Sequence, residues 1–182
     1  MLLYILIIAC EIAFWVFLVA GLAARYLLRW NRVSKLLLIG VPLVDVALLI
    51  FTVLHLKGGA QATFAHGLAT AYVGFTVAFG PVMVQWADQH FAHRFAGGPV
   101  PEKAPSQGWA GMWYELKLWF RCLFAIVIIY VLLFAMIAFV DDPARTQALN
   151  TWFAMPLFMA FTWFVFGPLW NLVFFGVKPK QP

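Results

Sequence analysis

Two acidic residues lie within long apolar segments, where a carboxylate has unusual chemistry. Glu11 lies inside the first apolar run of the chain and Asp45 inside the second. An ionised carboxylate at the centre of a bilayer costs about 2.5–3.5 kcal/mol on insertion scales, so such acids usually serve a function. Two carboxyls close together in a medium of low dielectric constant do not both ionise readily, and one keeps a proton. We therefore interpret Glu11 and Asp45 as candidates for a proton or cation relay.

Helical spacing adds a histidine and three threonines to this polar set. At 1.5 Å per residue, Glu11 and Asp45 lie about 14 Å and 16 Å from the outer ends of their predicted helices, near the bilayer midplane. His66 lies about 6 Å into the third predicted helix, where an imidazole can pass protons to the outside. Three hydroxyl residues share a helix face with Asp45 or His66: Thr52, Thr63 and Thr70. They are therefore candidates for lining one polar cavity.

The same acids also have a purely structural interpretation. A neutral Glu11 can hydrogen-bond Asp45 or Thr52 and hold helices together, at an average gain of about 0.6 kcal/mol per interaction. Under the relay interpretation the protein resembles, in type of site only, small exporters that exchange a substrate cation for protons at one membrane glutamate. Two acids at matched depth favour the relay, and both interpretations stay open at this point.

Other motifs predict packing, and no metal or cofactor site. A stripe of small residues allows close approach of helices, either within the bundle or at a dimer seam; it consists of Gly67, Ala71, Gly74 and Ala78. His55 and His66 flank one short turn and do not form the spaced pair that haem requires. His90 and His93 stand at i and i+3 near Asp88, which is more typical of a solvated helix face than of a metal site.

Composition identifies the class of protein. The 182 residues are 65% hydrophobic and only 10% charged, with a mean hydropathy of +0.92. Soluble domains are roughly 45–50% apolar and about 25% charged. A bilayer core of about 30 Å needs about 20 apolar residues as a helix. Five segments meet this requirement and predict an all-α bundle in one domain, 1–182: residues 2–24, 36–56, 62–84, 116–140 and 149–176.

The basic residues predict the orientation of that bundle. Ten of the 12 Lys and Arg residues lie near the 26–35 connection, the 85–115 loop and the C-terminal tail, and only Lys57 and Arg145 lie on the opposite side. The positive-inside rule then places the N-terminus outside, with the 85–115 loop and the C-terminus in the cytoplasm. The +5 net charge is explained in this way, so it does not indicate nucleic acid binding.

Four strings in the first half of the chain resemble a known family. They are ACEIAFWVFLVAGLAARY (9–26), VPLVDVALLIFTV (41–53), FAHGLATAYVGFTVAFGP (64–81) and WADQHFAHRF (86–95). They resemble the YmcC-like family of small bacterial integral membrane proteins. The resemblance implies a multi-pass protein of the bacterial plasma membrane, and it implies no activity and no catalytic residue.

The sequence thus favours a small proton-coupled transporter or ion-conducting protein. The alternative is a non-transporting scaffold, or an accessory subunit of a larger membrane complex. The chain lacks a Walker lysine loop, a G-x-S-x-G elbow and an H-E-x-x-H motif, so we do not predict an enzyme. The expected partners are the lipid bilayer, a second copy of the chain in a homodimer, or another membrane protein.

Overall fold

A computed structural model describes residues 2–105 and 108–173, without the side chains at positions 2, 3, 4, 7 and 11. Its elements are all helical. In chain order they are α1 (Leu2–Tyr26), α2 (Asn31–Lys57), α3 (Phe64–Ala96), α4 (Gly108–Val140), α5 (Pro143–Thr146), a 3₁₀ turn (Gln147–Asn150), α6 (Thr151–Phe164), a π-helical segment (Val165–Leu169) and α7 (Trp170–Val173).

Five of these units are long and apolar enough to cross a membrane. They are α1, α2, α3, α4 and the segmented fifth unit Pro143–Val173. The predicted all-α, five-span architecture is therefore confirmed, whereas the predicted orientation of the termini stays a prediction.

The helices are longer than the apolar runs that predicted them. α3 continues through the polar sequence 86–95 to Ala96, and α4 begins at Gly108 rather than at 116. The aromatic sequence before 116 is thus helical. The predicted fifth span is interrupted after Phe164 by the π-helical segment, which contains Gly167 and Pro168. Residues 174–176 of that prediction lie outside the described residues.

The helices pack in two groups joined by α3 and α4. α1, α2 and α3 contact one another, while α4 contacts both α3 and α6. We call the end with the 58–63 and 141–150 connections the histidine end. The other end, with the 27–30 turn and residues 97–105, is the loop end, where Arg25 of α1 pairs with Asp88 of α3 at 2.7 Å.

The small residues of α3 allow α4 and α6 to approach closely. A Cβ added at Gly67 would stand 2.0 Å from Cδ1 of Trp152 in α6. One added at Gly74 would stand 2.6 Å from Cγ1 of Ile129 in α4 and 2.9 Å from a backbone carbonyl of the same helix. Ala71 and Ala78 of the same stripe are buried as well. In the structure these residues therefore face the interior of one chain.

Side chains of α4 hold backbone carbonyls of its neighbours. The Trp119 indole donates to the Ala160 carbonyl at 2.9 Å, and the Tyr130 hydroxyl donates to the Phe153 carbonyl. Arg121 donates to the Ala78 carbonyl of α3 at 3.0 Å, close to Pro81 in that helix. These bonds fix the fifth span and α3 against α4.

Candidate functional site around Asp45

Asp45 of α2 faces Thr76 of α3 across an antiparallel helix pair. Asp45 and Thr76 each lie 12 residues from the histidine end of their helix, at Lys57 and Phe64, which corresponds to about 18 Å. The Thr76 hydroxyl donates a hydrogen bond to Oδ2 of Asp45. The carboxyl group is thus near the middle of the apolar helices, as its position in the sequence predicts.

The carboxyl is buried without a counter-ion. Asp45 is only 4% exposed. The described residues form two ion pairs, Arg25 with Asp88 and Arg145 with Asp142, and neither involves Asp45. An isolated charge in a medium of low dielectric constant is strongly disfavoured unless it is neutralised or paired. Asp45 is therefore a buried carboxyl for which the described ion pairs supply no cation.

A cavity of about 400 Å³ lies beside Asp45. α1, α3 and α6 contribute six aromatic side chains to its wall, and Asp45 is the one acid among the described residues that line it. The aromatic members are Phe14, Trp15, Tyr72, Phe75, Phe79 and Trp163. The described wall is thus mainly apolar, with a single carboxyl group at one place.

Three of these rings form a continuous wall. Phe75 stacks on Phe79 with ring centroids 5.8 Å apart, and Phe79 stacks on Trp163 with centroids 5.9 Å apart. The Trp163 indole donates to a carboxylate oxygen of Glu115 at 3.3 Å, which orients the ring from outside the cavity. The three rings are therefore packed against one another in series along this wall.

A second cavity of about 560 Å³ adjoins the first on the side of the loop end. Both cavities have Thr76 and Gly80 in their walls, so the two spaces are neighbours. The second cavity is lined by Arg25, Lys35 and Asp88, which bring charge to it. The carboxyl site is thus close to a recess at the loop end that contains charged side chains.

At the histidine end, two imidazoles form a hydrogen-bonded pair. Nδ1 of His66 accepts bonds from the Thr63 backbone N–H at 3.0 Å and from the Thr63 hydroxyl at 2.9 Å. A neutral His66 ring consequently carries its proton on Nε2 and donates it to Nδ1 of His55 at 3.1 Å. His66 is buried, while Thr63 and His55, its two partners, are exposed.

The structure separates this histidine pair from the carboxyl site. His55 and Asp45 lie ten residues apart on α2, and His66 and Thr76 lie ten residues apart on α3, or about 15 Å in both cases. The buried apolar cluster of Leu48, Ala65 and Ala69 lies between them. His66 and Asp45 are therefore not in direct contact.

The predicted threonines occupy other places than the wall of this cavity. Thr52 donates to the Leu48 carbonyl at 2.8 Å, and Thr70 donates to the Gly67 carbonyl at 2.6 Å, each within its own helix. Thr63 belongs to the histidine pair. Thr76 is the hydroxyl that reaches Asp45, and the sequence analysis did not select it.

Glu11 lies on α1 between two residues that line the cavity, Cys10 and Phe14. The side chain of Glu11 lies outside the described residues, so its predicted partnership with Asp45 stays a prediction. The sequence analysis also did not predict the aromatic wall, although part of it is visible in the sequence of α3. Tyr72, Phe75 and Phe79 recur at i, i+3 and i+7, one position after the small-residue stripe.

The two histidines of α3 near the loop end have backbone partners. Nδ1 of His90 donates to the Trp86 carbonyl at 2.8 Å, and Nδ1 of His93 donates to the Gly98 carbonyl at 3.0 Å. Asp88 is paired with Arg25. Within the described ranges no three His, Cys, Asp or Glu side chains are grouped so as to hold a metal ion.

Five apolar helices and a buried polar site between them define a helical multi-pass membrane protein. The chain is 40% identical over 146 residues to a protein of Bacillus subtilis (strain 168) described as "Uncharacterized membrane protein YmcC". The match covers 80% of this chain and 78% of that relative. The chain belongs to the YmcC family of bacterial membrane proteins, as the four sequence strings predicted. No family model matches the chain, and no solved structure matches it.

The family membership also bears on location. The predicted location, a multi-pass protein of the bacterial plasma membrane, is confirmed by the relative's description as a membrane protein together with the five spans. The bilayer is accordingly the immediate environment of the helices.

Proposed function

We propose that this protein is a small transporter that couples movement of a solute or ion to protons, with Asp45 as the charge-carrying group. The observation that supports this most is a buried carboxyl without a counter-ion beside a cavity of about 400 Å³. A carboxyl used only to hold helices together needs no such space. A carboxyl that alternately binds a proton and a substrate needs space for the substrate.

The adjoining recess supports a route to the site from the loop end. The two cavities share Thr76 and Gly80, and Arg25 and Lys35 lie in the outer recess. With the termini oriented as the basic residues predict, this recess faces the cytoplasm. The described conformation then corresponds to a state in which Asp45 is approached from inside.

The sequence suggested that His66 lines one polar cavity together with Asp45. In this proposal the histidine pair is separate from the cavity beside Asp45. About 15 Å of helix and a buried apolar cluster lie between His66 and Asp45. Proton passage between them therefore needs a second conformation in which water enters this layer. The histidine pair then forms the outer end of the proton route, and Asp45 is the group that binds the proton in the middle of it.

A homodimer is the assembly that we propose for this function. Five spans are few for a protein that alternates access across the membrane, and two copies would supply ten helices around a two-fold axis. Oligomer mass in mild detergent tests this point separately from transport.

The test of the function is proton flux in liposomes that contain the purified protein and a pH-sensitive dye, measured in the presence of each of several inorganic ions and drug cations. Asp45→Asn removes the exchangeable proton but keeps the size of the side chain, so we expect proton flux driven by a pH gradient to disappear. Asp141→Asn is the matched control. Asp141 is an exposed acid at the histidine end with a φ of 51°, a conformation that Asn also adopts readily.

Flux that persists in Asp45→Asn, at the level of the native protein and above that of empty liposomes, refutes the proposal. Glu11→Gln is tested in the same series, because the sequence analysis assigns Glu11 to the same relay. If the native protein itself shows no flux, the scaffold or accessory-subunit alternative is favoured, and a membrane partner recovered in stoichiometric amount supports that alternative.

A further inference from the structure

We infer that the cavity beside Asp45 binds a monovalent, lipophilic organic cation. The inference deepens the proposed function, since it assigns a substrate class to the same site. Its test measures binding at equilibrium without a membrane, so the result does not depend on whether transport occurs.

Charge is the first argument for a cation. Asp45 is the one acid among the described residues that line the cavity, and it takes part in neither of the two described ion pairs. The basic residues nearby, Arg25 and Lys35, line the adjoining recess and not this cavity. A single positive charge in the cavity therefore compensates Asp45, whereas an anion would add a second uncompensated negative charge.

The aromatic wall is the second argument, and it indicates an organic cation. Six aromatic side chains from three helices line the space, and three of them, Phe75, Phe79 and Trp163, stack on one another in one wall. A cation over the face of an aromatic ring is attracted to the ring quadrupole, most strongly where water is excluded. Aromatic cages of this kind are used to recognise quaternary ammonium groups.

A metal ion fits this wall poorly. Hard cations such as Ca²⁺ take six to eight oxygen ligands and Mg²⁺ takes six. Besides Asp45, the described lining offers the oxygens of Thr76 and Tyr72, and the remaining side chains are apolar or carry sulfur or indole nitrogen. The wall can therefore replace the weak hydration of a large organic cation, but not the tight hydration shell of a small ion.

Size and access are the third argument. About 400 Å³ is within the range of roughly 300–1,000 Å³ that holds a drug-sized ligand. Trp15 is 53% exposed and Met83 is 42% exposed, so two of the lining side chains also face the outside of the bundle. A ligand that dissolves in the bilayer can therefore reach the cavity sideways between α1 and α3.

The experiment is a calorimetric titration of the full-length protein in maltoside micelles. The probe is tetraphenylphosphonium, and the matched control is tetraphenylborate, which has nearly the same shape and the opposite charge. We expect saturable binding of the cation and none of the anion, after subtraction of titrations into empty micelles. Equal binding of the two ions would reduce the cavity to a non-selective apolar space and overturn the inference.

Two variants locate the binding. Asp45→Asn should weaken binding of the cation by roughly tenfold or more, because it removes the charge at close range in a medium of low dielectric constant. Asp141→Asn removes an exposed charge at the histidine end and should leave binding unchanged. Phe79→Leu should weaken binding roughly three- to tenfold, because it removes the central ring of the aromatic wall. Phe161→Leu, at a side chain 67% exposed on the outer surface, is its control.

Binding and transport can fail separately. Saturable binding that depends on Asp45, in a protein without proton flux, upholds the cation site and refutes the transporter. Proton flux in a protein that does not bind the phosphonium, or that binds it equally after Asp45→Asn, refutes the cation site and leaves the transporter standing. Native-like elution of each variant in size-exclusion chromatography separates loss of binding from loss of fold.

Discussion

Thr76 supplies the hydrogen bond that the buried carboxyl of Asp45 receives from α3. We predict that Thr76→Val lowers the free energy of unfolding by about 1–3 kcal/mol, because it leaves a buried polar group without this partner. Unfolding in mild detergent, followed by the loss of helical signal, measures the change.

Thr52→Val is the control for that prediction. Its hydroxyl donates only to the Leu48 carbonyl one turn earlier in the same helix, so its removal should change stability by a few tenths of a kcal/mol. In the Asp45→Leu background, Thr76→Val should become nearly neutral, since the two residues then have no interaction to lose. A Thr76→Val effect of the same size in both backgrounds would mean that the bond to Asp45 is not its cause.

The sequence could identify one partner of this bond but not the other. Asp45 is conspicuous because a charge in an apolar run is rare. Thr76 is one of several hydroxyls on apolar helices, and threonines are common there because they bond to their own backbone, as Thr52 and Thr70 do. Only the register between α2 and α3 decides which hydroxyl meets Asp45, and hydropathy carries no information on register.

Helix α3 approaches α4 and α6 through residues that lack side-chain volume. We predict that Gly74→Ala lowers the free energy of unfolding by about 1–3 kcal/mol through overpacking, because its Cβ would stand 2.6 Å from Ile129 and 2.9 Å from the Ala125 carbonyl. The backbone carbonyl cannot move aside as the end of a side chain can.

Gly80→Ala, on the same helix, is the matched control. Its Cβ would meet only Thr76 Cγ2 at 3.7 Å, which is an ordinary contact, and alanine is the better helix former. Thermal unfolding of both variants in one detergent gives the comparison. If Gly80→Ala destabilises the protein as much as Gly74→Ala, close helix approach is not the reason that glycine is needed.

The elements themselves follow from composition to a large extent. Runs of apolar residues predicted five spans, and the structure contains them because a helix satisfies every backbone hydrogen bond within lipid. Helix α3 continues through 86–95, as its amphipathic sequence indicates, whereas α4 begins before its apolar run, in aromatic sequence where hydropathy falls. The π-helical segment Val165–Leu169 contains Gly167 and Pro168, two residues that weaken a regular helix.

At the scale of the whole molecule, the orientation in the membrane is the central prediction. In a background with Cys10 and Cys122 replaced by alanine, we introduce Lys57→Cys at the histidine end and Lys103→Cys at the loop end. An impermeant maleimide added to intact cells should label position 57 and not position 103.

Labelling of both positions after permeabilisation is the control for reactivity. The reverse labelling pattern in intact cells would mean that the bundle has the opposite orientation in the membrane. The proposed route would then run in the opposite direction, since the recess lined by Arg25 and Lys35 would face outward. The carboxyl site and its cation test would be unaffected, because they depend on the interior alone.

The length of α3 and α4 has a practical consequence for work on this protein. Each has 33 residues and spans about 50 Å, against a bilayer core of about 30 Å, so about 20 Å of each helix is left over. Most of that surplus belongs to the loop end, where the polar part of α3 packs on α1 through Ala87 and the Asp88–Arg25 ion pair. A small protein of this kind is difficult to image by electron cryo-microscopy because it offers few features outside the micelle. The helical ends beside residues 97–105 are a place where a fused rigid domain would stand clear of the detergent and report the position of the bundle.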